Sequence, residues 1–242
     1  AGVNVNAGGN IVLGRIEATD VELVSGAAIS VATGSPVQLE ATQLRLFSTG
    51  DIGAAATPLQ VSVDRISALS TGGSIYVLES DALRIDTVQV TVDTFNGSTT
   101  VEQAGSQQSG LSAGTNENII VNILSGDLEL RDGLSTAGVA VSTPGTGAVL
   151  LLAASGNIIA SAGVDAGTGH LSVVASGAVT FSDNADLVTG GSSDIYVEAE
   201  SGSVTLSADS DQIAEDGDIA IVAQQNIALG GVVSTNATVS LL

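Results

Sequence analysis

The chain has 242 residues, with 26 Asp or Glu against 5 basic residues, all arginine, for a net charge of −21. That balance excludes the clustered cations needed to hold nucleic acid or an anionic membrane surface, and no apolar run approaches the roughly 18 residues of a bilayer-spanning helix. Zero cysteine excludes disulfides and thiolate metal sites, and 44% hydrophobic content excludes a disordered acidic tail.

In chain order, one phrase recurs: a glycine, a small, polar or acidic residue, then an apolar-x-apolar strand. It runs from Gly9-Asn10-Ile11-Val12-Leu13 and Gly50-Asp51-Ile52 to Gly73-Ser74-Ile75-Tyr76-Val77 and Gly126-Asp127-Leu128-Glu129-Leu130. It continues through Gly147-Ala148-Val149, Gly156-Asn157-Ile158, Gly169-His170-Leu171, Gly177-Ala178-Val179, Gly202-Ser203-Val204 and Gly217-Asp218-Ile219. Each copy reads as a short strand behind a turn, with its first and third side chains on one face. No stretch sustains a 3.6-residue period, so helix is not expected.

The spacing selects the architecture. Val149, Leu171, Ile195, Ile219 and Val239 are separated by 22, 24, 24 and 20 residues. A second strand starts inside each interval, at Ile158, Val179, Val204 and Ile227, and a weaker third apolar site follows at Val164, Leu187, Ile213 and Val232. Toward the N-terminus, starts fall near Ile11, Ile29, Ile52, Ile75, Val101 and Ile119. A mean period of about 23 residues is the mark of a solenoid. The fold predicted is all-β: a right-handed parallel β-helix of about ten coils, with two to three short strands per coil. At about 4.8 Å per strand it forms a rod roughly 48 Å long. Residues 1–242 read as a single solenoid with irregular excursions near 93–117 and 142–147. The match between Thr71–Val77 and the segment from Thr189 to Val197 supports one register.

Runs such as Gly147 to Ile158 and Gly217 to Ile227 resemble the repeats of filamentous-haemagglutinin-type adhesins and related giant bacterial surface proteins. That resemblance implies secretion, a right-handed β-helix, and a stalk, adhesin or fibre located at or outside the bacterial cell surface.

Candidate chemistry is sparse. His170 stands alone, without a cysteine or second histidine to complete a nucleophile or metal set, and a solvated corner is its simpler reading. A sugar-processing β-helix enzyme needs paired carboxylates in an aromatic-lined cleft. Only Phe47, Phe95, Phe181, Tyr76 and Tyr196 are aromatic here. The sharper candidate is a pair of acidic corners, with Asp183, Asn184 and Asp186 in one and Asp209, Asp211, Glu215, Asp216 and Asp218 one coil later. Stacking would bring like charges together, and calcium relieves such crowding. Asp183, Asp186, Asp209, Asp211, Asp216 and Asp218 are therefore the candidate calcium ligands, set against a solvated acidic face. The leading expectation is a non-catalytic segment or subunit of a secreted adhesin or extracellular fibre. The alternative is a calcium-dependent glycan-binding module or a polysaccharide-processing enzyme. Val3–Asn6 and Thr238–Leu242 both read as strand, so the expected partner is another copy end-to-end or the rest of a longer chain, with a surface glycan or another cell as the adhesion target.

Overall fold

A computed structural model describes residues 2–32, 39–95, 97–131, 138–182, 185–234 and 236–242. Among them there is no helix, and the strands form a parallel β-helix. The register of the first face is a single column of ten residues. Ile11, Ile29, Ile52, Ile75, Ile119, Val149, Leu171, Ile195, Ile219 and Val239 each lie beside the next. A second column stacks Leu83, Leu128, Ile158, Val179, Val204 and Ile227. A third stacks Leu111, Val141, Val164, Leu187, Gln212 and Val232.

The interior follows from the alternation. Ile75–Glu79, Ile119–Ile123, Val149–Ala153, Leu171–Ala175 and Ile195–Ala199 all bury their first, third and fifth side chains. The lumen they fill is narrow, so its contents are Ile, Leu, Val and Ala, with Phe181 the one aromatic in the core cluster. Burying each large aliphatic side chain contributes about 1.5–3 kcal/mol relative to exposure. Closely stacked corners impose a second requirement. A Cβ on Gly147 would land on the Glu117 carbonyl oxygen, and one on Gly169 would land on that of Gly147. The recurrent glycine is there to let the coil below come close.

Two expectations of register are corrected. Val101 does not start a coil: Ile75 pairs directly with Ile119, and Val101 sits in an antiparallel hairpin of Thr91–Phe95 with Thr100–Ala104. Ile213 is not the inward residue of the third face. Gln212 takes the column position between Leu187 and Val232, and Ile213 points outward. A one-residue shift exchanges the two faces of a strand, which is why a period-only reading chose the more apolar neighbour.

The irregular region is an insertion with closed ends. Gly110 donates its N–H to the Asp86 carbonyl at 3.3 Å, and Ala68 donates to the Gly110 carbonyl at 2.9 Å, so the rod resumes where it was left. Between these points Thr87–Val88 pairs antiparallel with Gln108–Ser109, and the hairpin lies beyond. The insertion folds over the outer face of Asp20–Ser25 and Leu39–Ser48, where Gln108 Nε2 reaches the Leu46 carbonyl at 2.8 Å. It buries Val88 and Val90 outside the main core, and beneath it Glu22 accepts from Arg45 and Asn4. Residues 142–147, in contrast, form an ordinary corner. Asn116 N–H bonds the Pro144 carbonyl at 2.8 Å, and Thr168 N–H bonds the Gly145 carbonyl at 2.6 Å.

Ile195 is fully buried in the middle of the first column. Ile195→Asp should abolish cooperative folding, because it strands a lone charge in a dry lumen, while Gly169→Ala should cost about 1–3 kcal/mol through overpacking. Thermal and urea unfolding followed by circular dichroism checks both, and an unchanged midpoint for either variant would contradict the placement.

Candidate functional site

At most corners the residue just before the strand has a specific job; Ala28, Ala148 and Ala178 hold the same place without a side-chain acceptor. On the first face, Asn10 Oδ1 accepts the N–H of Ala28 at 3.0 Å and Asp51 Oδ1 that of Ser74 at 2.8 Å. Ser74 Oγ accepts from Asn118 at 3.0 Å, and Asn118 Oδ1 from Ala148 at 2.9 Å. His170 Nδ1 accepts from Asp194 at 3.0 Å, Asp194 Oδ1 from Asp218 at 2.9 Å, and Asp218 Oδ1 from Thr238 at 2.8 Å. The second face repeats the device with Asp127, Asn157 and Ser203, which accept from Asn157, Ala178 and Asn226. Each side chain takes the backbone N–H of its counterpart one coil further on, a donor that the bend at the corner removes from the regular strand ladder. The sequence signal was the small or acidic residue of the repeated phrase; its role appears only when the coils are stacked.

His170 is thereby explained as a ladder member. Accepting at Nδ1 places its ring proton on Nε2, and its side chain is exposed beside Asp194. The six candidate calcium ligands do not form one set. Asp183 lies outside the described residues, as does Asn184. Asp186 Oδ1 accepts the N–H of Asp211 at 2.9 Å, and the Asp211 carboxylate in turn packs against Gly231 of the following coil. Asp218 belongs to the first-face ladder, Asp216 accepts from Asn236 Nδ2 at 2.5 Å, Glu215 accepts from Gly191 N–H at 2.9 Å, and Asp209 is exposed. Among the described residues, no three Asp, Glu or His side chains are grouped closely enough to hold an ion.

A shallow acidic depression of about 280 Å³ lies on the second face, lined by Asp64, Arg84, Asp127 and Glu129 with Ala82 and Leu83. Glu129 Oε2 receives Arg84 Nε at 3.0 Å and Arg131 Nη2 at 2.6 Å. Those guanidinium groups, Arg131 first, hold its carboxyl below the usual range. Asp127 is committed to the corner ladder, accepting from Asn157 through both N–H at 2.8 Å and Nδ2 at 2.9 Å. The depression thus combines three carboxylates and an arginine; Asp64 is exposed, while its glutamate is held ionised and its corner aspartate is structural. Neither is set up as the proton donor that glycoside cleavage requires.

Among the described residues, the one strongly raised carboxyl lies elsewhere. Glu79 is the fifth residue of Ile75–Glu79 and points inward, stacked beside Ile123. Its oxygens accept N–H bonds from Val63 at 3.0 Å, Ser80 at 2.8 Å and Asp81 at 3.2 Å. Burial pushes its pKa from 4.5 up to about 8, aided by a hydrogen bond to the Asp81 side chain; the backbone N–H bonds of Asp81 and Val63 pull the other way and lose. Extending the alternation Ile75, Val77, Glu79 marks it as inward, a signal that the three-residue phrase cut short. On the outer side, Tyr196 donates its hydroxyl to Glu198 Oε2 at 2.7 Å, which pushes the phenol up to about 12.

Two outcomes follow. If the corner ladder is the role of the aspartates, Asp194→Asn should keep the fold at wild-type stability, since an amide oxygen still accepts, while Asp194→Ala should lose about 1 kcal/mol; chemical unfolding of the two variants measures the difference. For Glu79, the folded chain holds its proton more tightly than the unfolded chain. Its stabilising contribution is therefore complete below about pH 4.5 and is lost as pH rises through about 8. Melting temperature should fall between pH 5 and 9 more steeply for the wild type than for Glu79→Gln. Parallel curves would contradict a neutral buried carboxyl.

No family model, curated protein or solved structure matches the chain.

Proposed function

We propose that this chain is a non-catalytic structural segment of a secreted bacterial surface adhesin or extracellular fibre. The observation that carries the reading is the corner ladder: the polar residues that recur with the period are consumed in holding one coil to the next. A repeat built this way specifies length and stiffness. The sides carry the solubilising charge, and each coil is held to the next along the axis.

The ladder is also polar. Every first-face acceptor points to the coil that follows it in sequence, from Asn10 through Asp218 to Thr238. At the last rung, Val239–Leu241 presents half-exposed column residues, Val239 at 42% and Leu241 at 50%. A strand added there is received in parallel, head to tail, whether it comes from continuing chain or from another copy. A head-to-tail contact that does not close generates a filament.

Sedimentation and electron microscopy of the chain across salt concentrations test the proposal, together with hydrogen exchange at Val239–Leu241. End-to-end rods with exchange-labile terminal amides in the unassociated fraction are expected. A non-associating monomer with protected terminal amides would overturn axial pairing. Turnover of a polysaccharide that disappears in Glu129→Gln would overturn the non-catalytic reading.

A further inference from the structure

Six neighbouring strands of the first face, Ile75–Glu79, Ile119–Ile123, Val149–Ala153, Leu171–Ala175, Ile195–Ala199 and Ile219–Ala223, form a continuous parallel sheet. Their second and fourth side chains point outward and are half-buried. Tyr76, Leu78, Ile120, Leu152, Val174 and Tyr196 dominate this surface. In a chain of net charge −21 it carries one formal charge, Glu198, and that carboxylate is bonded by the Tyr196 hydroxyl. The rims are different. Asp194 and Asp218 stand exposed along one border beside His170, with Glu215 and Asp216 in the turn that leads to Asp218; Asp81 and Glu200 stand exposed along the other, and no arginine lies on these strands or in their flanking turns.

We propose that this face is a docking surface for a partner protein that presents an apolar stripe flanked by lysine or arginine. An apolar centre inside a charged rim is the anatomy of a protein interface, and the sign of the rim selects the partner. A second copy is disfavoured by charge. Face-to-face packing would bring acidic rim against acidic rim. The patch spans about 24 Å along the axis by about 16 Å across, near 400 Å², roughly half the area per partner of a stable association. The size falls in the range of functional patches on monomers, and its length equals that of an amphipathic helix of about 16 residues. The surface therefore suits a modest, reversible contact along the side of the rod, independent of pairing at its ends.

The chain supplies its own reporter: it has no tryptophan, and both of its tyrosines are on this face. The probes are two synthetic peptides of about 16 residues, made only of Leu and Lys: one with its leucines on a single helical face, the other of equal composition with that face scrambled. Tyrosine emission is titrated at about 0.3 M salt, where exposed charge attraction is largely screened. The amphipathic peptide should perturb the emission and bind about tenfold more tightly than the scrambled one. The double variant Leu152→Thr with Val174→Thr, which keeps strand-compatible side chains, should erase that preference while circular dichroism stays unchanged. If the variant misfolds, Leu152→Thr alone must at least reduce the preference. Equal binding of both peptides, or a preference that survives the substitutions, would overturn the proposal. So would sedimentation showing lateral dimers of the peptide-free chain that Leu152→Thr dissolves, because the occupant would then be a second copy.

Discussion

Everything in this molecule depends on satisfying the backbone where a strand turns a corner. Along the flat faces, the parallel ladder pairs each N–H and carbonyl with the coils on either side. At the bend that ladder is interrupted, and the donors closest to the lumen would be left without partners at about 1–3 kcal/mol apiece. The answer at most corners is a side-chain acceptor turned to the next coil, with alanine in that place at Ala28, Ala148 and Ala178. Asn10, Asn118 and Asn157 perform it without charge, and Asp51, Asp127, Asp194 and Asp218 with charge. Hydrogen bonding alone does not require the carboxylates. Asp194 and Asp218 repel across one strand spacing, but both are exposed, so water and salt screen that repulsion while the charge-assisted bond to the backbone is retained. The acidity of the chain is thus partly a by-product of how its corners are tied and partly a solubility device for a rod with long sides.

The same constraint determines what could be read in the sequence. The coil period, the near absence of helix and the first and second columns were legible, because a residue whose Cβ would strike the coil below must be glycine and a residue facing a narrow lumen must be small or branched. Three things were not. Gln212 occupies a lumen position that hydrophobicity would assign to Ile213, and a weak three-residue strand cannot outvote that preference. The alternation from Ile75 and Val77 implies that Glu79 faces inward, but the backbone N–H of Val63 that it meets there lies on another coil and is not visible in the local pattern. The acidic corners looked like a cation site because proximity in the repeat was taken as convergence. Stacking instead turns Asp186 and Asp218 along the axis to the next backbone, while Asp216 meets the Asn236 side chain and Glu215 the Gly191 N–H of the preceding coil.

The faces then divide the chemistry among themselves. The second face collects charge: Arg84 lies beside Glu129 on the adjacent strand, with Arg131 completing the cluster. The first face is nearly neutral, and its one carboxylate is masked by a phenol. Both arise from the outward positions of the same alternating strands, so the inward half of each strand specifies the rod while the outward half is free to vary by face. A solenoid of this kind separates folding from surface identity more completely than a globular core does, because each coil answers only to its neighbours.

The insertion between Asp86 and Gly110 shows how far that separation goes. Its two ends meet within hydrogen-bond distance, and Ile75 still lies against Ile119, so the lumen column passes the insertion without a break. Closing such a loop costs entropy that grows only with the logarithm of its length, and the rod loses no burial. What the insertion must do is find a fixed seat, and it does so over the Glu22–Arg45 pair, which it removes from water. A buried ion pair is weak evidence for added stability, since desolvation consumes most of the attraction. Its geometry is nevertheless demanding: a Cβ on Gly105 would come within 2.9 Å of Glu22 Oε2, so only one placement of the returning strand fits over the pair. The pair therefore acts as a register mark for the appendage, as the corner acceptors are register marks for the coils. In both cases polar groups fix position along a rod whose interior, mostly Ile, Val, Leu and Ala, would by itself tolerate slippage.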